Sequence, residues 1–461
     1  MCRSSRQRAW ERICPDPNLI LQLPFLSWPE SHETREQTLT RRRALFADNL
    51  RLSYFEPLKI VRGRGQYLYD ASARQFLDAY NNVPHVGHCH PRINEAIARQ
   101  TRLLNTNTRY LHDVQTDFAA ELTATLPDEL CVCFFLNSAS EANELALRLA
   151  RTYTGQRDLL ALEGGYHGHT TSLIDISPYK HDGPGGHGAP DWVHTVPVPD
   201  VYRGEFQDAT TAGADYAQAV VNRIAGLVEQ QRGICGFLAE SCPSVAGQIV
   251  LPPGYLKHVY QSVRAAGGVC IADEVQTGYG RVGSAFYAFE LQQVVPDIVV
   301  LGKPMGNGHP LAAVVTTREI ASAFENGMEF FSTFGGNTVS CAVGLEVLRI
   351  VQEDGLQQHA DRCGRQILSQ LHELQDRHEI VGDVRGSGFF LGIELVTDRK
   401  FKKPATAAAA WVSNQLRQRG ILIGTDGPFD NVLKIRPPMV FDEHNAARLT
   451  ATIDGVLRFL Q

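Results

Sequence analysis

No uninterrupted apolar run in this 461-residue sequence approaches the ~20 residues of a membrane-spanning helix, so no membrane span is expected. The opening stretch, MCRSSRQRAWER, carries arginine and serine without an apolar segment. That argues against a secretory signal and favours a terminal arm over a transit peptide. A strong charge of either sign is also missing: 44 Lys and Arg against 50 Asp and Glu give a net charge of −6. Neither nucleic acid nor an anionic membrane surface is therefore indicated as a partner. Ten cysteines are too few for a disulfide scaffold. Cys131, Cys133, Cys235 and Cys270 fall in apolar runs and read as buried reduced thiols of a cytoplasmic protein. There are no internal repeats, and the only biased tract is the loop HDGPGGHGAP. What remains is ordinary globular composition, 43% hydrophobic and 20% charged, in a chain long enough for two or more subdomains.

Four regions are expected. Residues 1–50 are arginine-rich and proline-punctuated, an arm with one short helix around 34–48. Residues 51–105 contain YLYDASARQFLDAY, which alternates like a hairpin turning at Asp70 to Arg74, and form the first part of a small domain. From 106 to 345, short β-branched runs (VCFFLN, DLLALEGG, ICGFLAE, VCIADE, DIVVLG, LAAVVTT) alternate with amphipathic helices. This alternation predicts a large α/β domain whose sheet is mostly parallel, with helices on both faces. Residues 346–461 complete the small α+β domain, with a long helix over about 344–377, a glycine-broken strand VRGSGFFLGIELV and a last helix from Glu443.

Two charged residues stand where buried strands give way to loops. Asp273 ends the apolar run of GGVCIADEVQTGYGR, and Lys303 follows that of DIVVLGKPMGNGHP. A lysine and a carboxylate on neighbouring strand ends are what pyridoxal phosphate chemistry needs. The amine forms a Schiff base with the cofactor aldehyde, and the carboxylate keeps the pyridine nitrogen protonated so that the ring accepts electrons. Other segments can supply the remaining parts. In FFLNSASEANELALRLAR, Ser138, Ala139 and Ser140 open a helix, either as a plain cap or as an anion site. In EGGYHGHTT, Tyr166 or His167 can lie flat on a planar ring or simply pack a turn. Gln276, three residues past Asp273, can reach the other edge of the ring, and Glu240 at the end of ICGFLAE can brace the floor. In FFSTFGGNTVSCA, Ser332 and Thr333 precede a Gly-Gly turn, a second candidate phosphate turn.

Three motifs are set aside. GYGRVG fits G-x-G-x-x-G, but five residues separate it from its strand and no clear helix follows. GKPMGNG has no Ser or Thr after its lysine, as a P-loop requires. HVGHCHP crowds His85, His88, Cys89 and His90 into six residues with no distant partner, poor geometry for a metal, so none is expected.

The ordered set NSASEAN, YHGHT, ADEVQTGYGR, GKPMGNGHP, STFGGN and RGSGFFLGIEL closely resembles the class III (ω-aminotransferase) branch of the fold-type-I pyridoxal phosphate enzymes, from about residue 50 to the C-terminus. The resemblance implies an aspartate-aminotransferase-like fold. Lys303 matches the Schiff-base lysine, Asp273 the pyridinium partner and Gln276 the residue near the phenolic oxygen. Tyr166 and His167 match the stacking segment, and Ser138, Ala139 and Ser140 the phosphate turn, with alanine where the family often has glycine. Thr333 matches the threonine that reaches the cofactor of a neighbouring subunit, which implies a homodimer with shared sites. YNNVPHVGHCHP, YHGHTTSLIDISPYK, PVPDVYRG and TDGPFDNVLKIRPPMVF further resemble a small phospho-lyase subgroup acting on O-phosphoethanolamine or, in a sister enzyme, on 5-phosphohydroxy-lysine. One departure from ordinary transaminases fits this. Their carboxylate-binding arginine is replaced here by Lys434, and the glutamate that masks it by Val245, a point charge instead of a planar fork. Arg436, two residues on, is placed to substitute. Lys180, Arg203, Lys434 and Arg436 are thus the expected anchors of a substrate phosphate. The alternative is a true ω-aminotransferase passing the amino group to a keto acid.

Overall fold

The computed structural model describes residues 33–460. Of the arm expected over 1–50, residues 1–32 lie outside the described residues. In the remainder a helix forms over Arg35–Leu45, started by a reciprocal cap in which Thr34 accepts from the Gln37 amide and Gln37 from the Thr34 amide.

Seven strands build the central sheet in the order Leu130–Leu136, Ala312–Thr317, Ile298–Leu301, Val269–Asp273, Ile234–Glu240, Asp158–Leu162, Val193–Val196. The last five run parallel to one another. Ala312–Thr317 is antiparallel to both its neighbours. Its connection from Leu301 is too short for a crossover, which takes about a dozen residues or more, so the chain turns straight back. Val269–Asp273 and Ile298–Leu301 are buried throughout, which is why they read as continuous apolar runs. Alternate residues feed opposite layers. Leu159 and Ile271 pack with helix Ala139–Thr154, while Leu160 and Cys270 pack with helices Ala212–Glu229 and Tyr255–Ala265.

The C-terminal region forms an antiparallel sheet ordered Val381–Ser387, Phe390–Asp398, Val432–Ile435, Gly424–Asp426. Ile421–Leu422 leaves it to pair parallel with Gln75–Asp78, so residues from the two ends of the chain meet. Two expected elements are divided. The helix expected over 344–377 is two, Thr338–Glu353 and Leu356–Arg377, because Gly355 adopts φ +63° and ends the first. The glycine-broken strand is a hairpin turning at Gly388 (φ +54°), whose absent Cβ would strike the Arg281 and Val282 backbone.

Candidate active site

The parallel strands deliver their C-terminal ends to one edge of the sheet, where ligands of open α/β sheets bind. Glu240 and Asp273 are register partners there, and Lys303 lies just beyond Leu301 on the next strand. A cavity of about 400 Å³ opens on this edge, within the usual range for small-molecule sites. Ser138, Ala139, Ser140, Tyr166, His167, Glu240, Asp273, Gln276 and Lys303 all line it.

Asp273 is almost fully buried, yet well supplied with donors. His167 Nδ1 lies 2.8 Å and Asn143 Nδ2 3.1 Å from Oδ2, and the Val275 amide donates to Oδ1 at 3.1 Å. His167 is thus held edge-on to the carboxylate as part of the floor, which leaves half-buried Tyr166 as the ring free to cover a planar ligand. Lys303 reaches the cavity from the next strand. Burial first, then the Arg436 charge, lower its ammonium, against the opposing pull of Asp273, Glu240 and Asp426.

The helix Ala139–Thr154 begins at the cavity wall. Ser138 Oγ caps the Glu141 amide, and Ala142 already bonds Ser138 O. The amides of Ala139 and Ser140 are those a helix start leaves to an external acceptor. Ser140 Oγ also accepts from the His169 amide at 3.3 Å, tying the Tyr166 loop to this helix. Gly168 (φ +144°) permits that approach, since a Cβ there would come within 2.7 Å of Ser140 Oγ.

Gln276 carries its own orienting device. Its Oε1 accepts from Asn82 Nδ2 at 2.8 Å and Arg436 Nη1 at 2.5 Å. Arginine only donates, so the oxygen assignment is fixed and the Gln276 amino group is left for the cavity. Arg436 is 5% exposed and also bonds Ser244 Oγ at 2.8 Å. Among the described residues no carboxylate pairs with it, and its Nε has no acceptor. Lys434 differs: its Nζ lies 2.8 Å from Asp426 Oδ2 and 5.1 Å from the Tyr80 ring centre. Burial and Arg436 lower its ammonium to about 8 despite that pairing. At the Val245 position the backbone carbonyl accepts from the Gly427 amide at 3.0 Å.

The remaining expected residues are dispersed. Lys180 is exposed, with its Nζ 5.7 Å from the Tyr166 ring centre. Arg203 does not line the cavity. Its guanidinium is committed to the Glu394 carboxylate and the Lys402 carbonyl and faces a separate cavity of about 470 Å³. The expectation that it anchors substrate is thereby corrected, because its charge is consumed within the fold. Thr333 is exposed between exposed Phe331 and Phe334 and does not reach the cavity of its own chain. Sequence reasoning missed Asn143, Asn82, Ser244 and Asp426. Asn143 had a local signal, standing one helical turn after Ala139 and so on the face that opens the helix, while Asn82 and Asp426 lay unremarked inside YNNVPHVGHCHP and TDGPFDNVLKIRPPMVF.

A lysine, a donor-rich buried aspartate and a free helix start at the C-terminal edge of a mostly parallel sheet are the arrangement expected of a fold-type-I pyridoxal phosphate enzyme. Residues 52–457 match the class-III aminotransferases, and the chain belongs to that family. Its cofactor is pyridoxal 5′-phosphate. The chain is 51% identical over 397 residues to an alanine–glyoxylate aminotransferase 2-like protein of Drosophila melanogaster (85% of this chain, 80% of that one). It is 41% identical over 441 residues to ethanolamine-phosphate phospho-lyase homolog 1 of Caenorhabditis elegans (93% and 94%). Among solved structures, a phospholyase from Arthrobacter in complex with phosphoethanolamine superposes with a TM-score of 0.88 at 40% identity, covering 92% of this chain and all of that one.

Proposed function

We propose that this protein is a phospho-lyase that eliminates phosphate from a phosphorylated amine, O-phosphoethanolamine above all, giving acetaldehyde, ammonia and phosphate. The observation that carries the reading is Arg436, a buried guanidinium that does not itself line the cavity but bonds cavity-lining Gln276, with no carboxylate partner among the described residues. Such a charge is costly unless an anion enters. The likeness to the phosphoethanolamine-bound phospholyase supports the choice of anion.

When bound, pyridoxal phosphate supplies an aldehyde that condenses with amines and a ring that takes up electrons. The chain's residues supply the rest. Lys303 would hold the cofactor through its amine and, as a free amine, would take the proton from the substrate carbon bearing the amino group. Its depressed ammonium favours the free-base form this requires. Asp273, steadied by His167 and Asn143, would pair with the cofactor's ring nitrogen and favour its protonated form. The Gln276 amino group would donate to the cofactor's phenolic oxygen and Tyr166 would pack on its ring, with Glu240 in the cavity floor. Ser138, Ala139 and Ser140 would receive the cofactor phosphate at the helix start. Arg436, with Lys434 and Lys180 in support, receives the substrate phosphate.

Thr333 completes the site of a second copy, making a homodimer with shared sites. The exposed Phe331, Phe334, Tyr110 and Leu111 suit such a contact. Among the described residues no helix is long and apolar enough to cross a membrane. Their eight cysteines are unpaired, which accords with a cytoplasmic setting, although Cys131 is exposed and Cys133 half-buried where their apolar run predicted burial.

The second reading is an ω-aminotransferase, favoured by the name of the 51% identical fly relative. A panel of phosphorylated amines scored for free phosphate separates the two. A lyase releases phosphate with no keto acid present. Amino transfer to a keto acid with no phosphate from any member of the panel would defeat the proposal.

A further inference from the structure

Glu240 is 3% exposed at the end of its strand. Its Oε2 accepts from the Ser244 amide at 3.2 Å. Its Oε1 has no partner among the described residues, although Glu240 lines the cavity. An ionised carboxylate with one oxygen empty is expensive to bury, whereas a neutral acid there presents a proton to whatever enters. The charged and titratable groups around it are Asp273, Lys303, Cys242, Asp426 and Arg436. Burial first and the Asp273 charge second push its carboxyl up to about 8, against the Ser244 amide and Lys303. Ser244 also links it to the proposed phosphate anchor, since Arg436 Nη1 bonds Ser244 Oγ at 2.8 Å.

We propose that Glu240 is the acid that protonates the bridging oxygen of the departing phosphate. The proposal rests on the phospho-lyase reading and adds a catalytic residue to it. A phosphate monoester is largely dianionic above its second pKa of about 6. Breaking its C–O bond without a proton would expel the trianion, a very poor leaving group. In the balanced step Lys303 takes the proton from the carbon bearing the amine, and the electron pair of that C–H bond becomes the new C=C bond. The C–O bond breaks with its pair on the bridging oxygen, and that oxygen takes the Glu240 proton. Hydrogen phosphate leaves. Glu240 is left as carboxylate and Lys303 as ammonium, and proton exchange with solvent restores both.

The test compares leaving groups in holoenzyme. Sulfate departs as its stable dianion without a proton, so O-sulfoethanolamine does not need the acid. Glu240→Gln should lower kcat for phosphate release from O-phosphoethanolamine by roughly 10²- to 10³-fold, within the usual contribution of a general acid. Sulfate release should stay within about threefold. Glu240→Asp should recover part of the phosphate rate. The wild-type fall in kcat as pH rises through about 8 should vanish in Glu240→Gln. Apo Glu240→Gln, titrated with pyridoxal phosphate by absorbance, should bind it as wild type does. Unchanged phosphate release would overturn the proposal. Parallel losses of phosphate and sulfate release with weakened cofactor uptake would also overturn it, leaving Glu240 as a cofactor support. Wild-type protein that transaminates but releases no phosphate would instead overturn the phospho-lyase reading, a failure visible before any variant is made.

Discussion

Replacing Arg436 by methionine tests the anchor most directly. The guanidinium is 5% exposed, spends Nη1 on Ser244 and Gln276, and keeps Nε without an acceptor. A charge-assisted hydrogen bond from such a group is worth about 1.5–3 kcal/mol. At about 1.4 kcal/mol per decade, losing one lowers kcat/KM for O-phosphoethanolamine roughly ten- to a hundredfold. Lys434→Met should cost less than about tenfold, because Asp426 at 2.8 Å already answers that charge. Arg436→Met should fold, because removing a buried cation without a carboxylate partner leaves no orphaned charge, whereas Lys434→Met strands the buried Asp426 carboxylate, with Gln248 Nε2 at 3.2 Å still donating to it, and should lose stability. Asn82 still holds the Gln276 oxygen at 2.8 Å, so the cofactor's absorbance should change little. The assay follows phosphate release from O-phosphoethanolamine alongside the slow consumption of unphosphorylated ethanolamine. Equal losses for both amines, or a larger loss at Lys434 than at Arg436, would refute the reasoning.

Four further outcomes are expected. Borohydride should fix the cofactor to Lys303, and Lys303→Ala should lose the visible Schiff-base band and nearly all steady-state turnover; undiminished turnover would contradict its role. Asn143→Ala removes a donor to the Asp273 carboxylate and another to the His167 carbonyl, at 3.1 and 2.9 Å. Because it also removes the unpartnered Asn143 Oδ1, the net loss of apo stability should be about 1–3 kcal/mol by urea unfolding, and a change under about 0.5 kcal/mol would show the network to be idle. Mixing Lys303→Ala with Thr333→Ala subunits should yield hybrids with one intact site and activity above either parent, whereas no gain despite proven exchange would mean each chain builds its own site. Glu240 is raised from 4.5 to about 8, so its contribution to folding is fully present below 4.5 and is lost as pH rises towards 8. Apo Glu240→Gln escapes that loss, and its Tm advantage should grow across this interval and then level off; an offset independent of pH would contradict the shift.

The charged strand ends were legible because of the fold class. Strands buried on both faces are nearly continuous apolar runs, so Glu240, Asp273 and Lys303 stand out at their ends. The helix start at Ser138 was legible for a similar local reason. What the sequence concealed is pairing. Nothing local shows that Asp426 neutralises Lys434 or that Glu394 takes Arg203, since both depend on strands of the C-terminal sheet. Tyr166 and His167 are adjacent, and only the packed structure turns one towards Asp273. Asn82 and Ser244 reach Gln276 and Arg436 across long stretches of chain, and although Asn82 falls in YNNVPHVGHCHP nothing local assigns either residue that contact. The break at Gly355 was open to a local argument, because a glycine inside a long amphipathic pattern often ends a helix.

The position of Arg436 bears on more than anchoring. After burial, its charge is the largest influence lowering the Lys303 ammonium. On the proposed reading, a substrate phosphate bound at Arg436 cancels much of that charge as seen from Lys303. Lys303 then becomes more basic while a phosphorylated amine is in place. An unphosphorylated amine leaves the guanidinium unanswered and Lys303 a weaker base. The preference for phosphorylated amines would thus arise both in binding and in proton abstraction. Arg436→Met separates the two. It removes the anchor, but it also relieves Lys303, so ethanolamine should turn over no more slowly in the variant than in the wild type while O-phosphoethanolamine loses its advantage. A base already tuned by Asp273 alone would show no such divergence between the two amines.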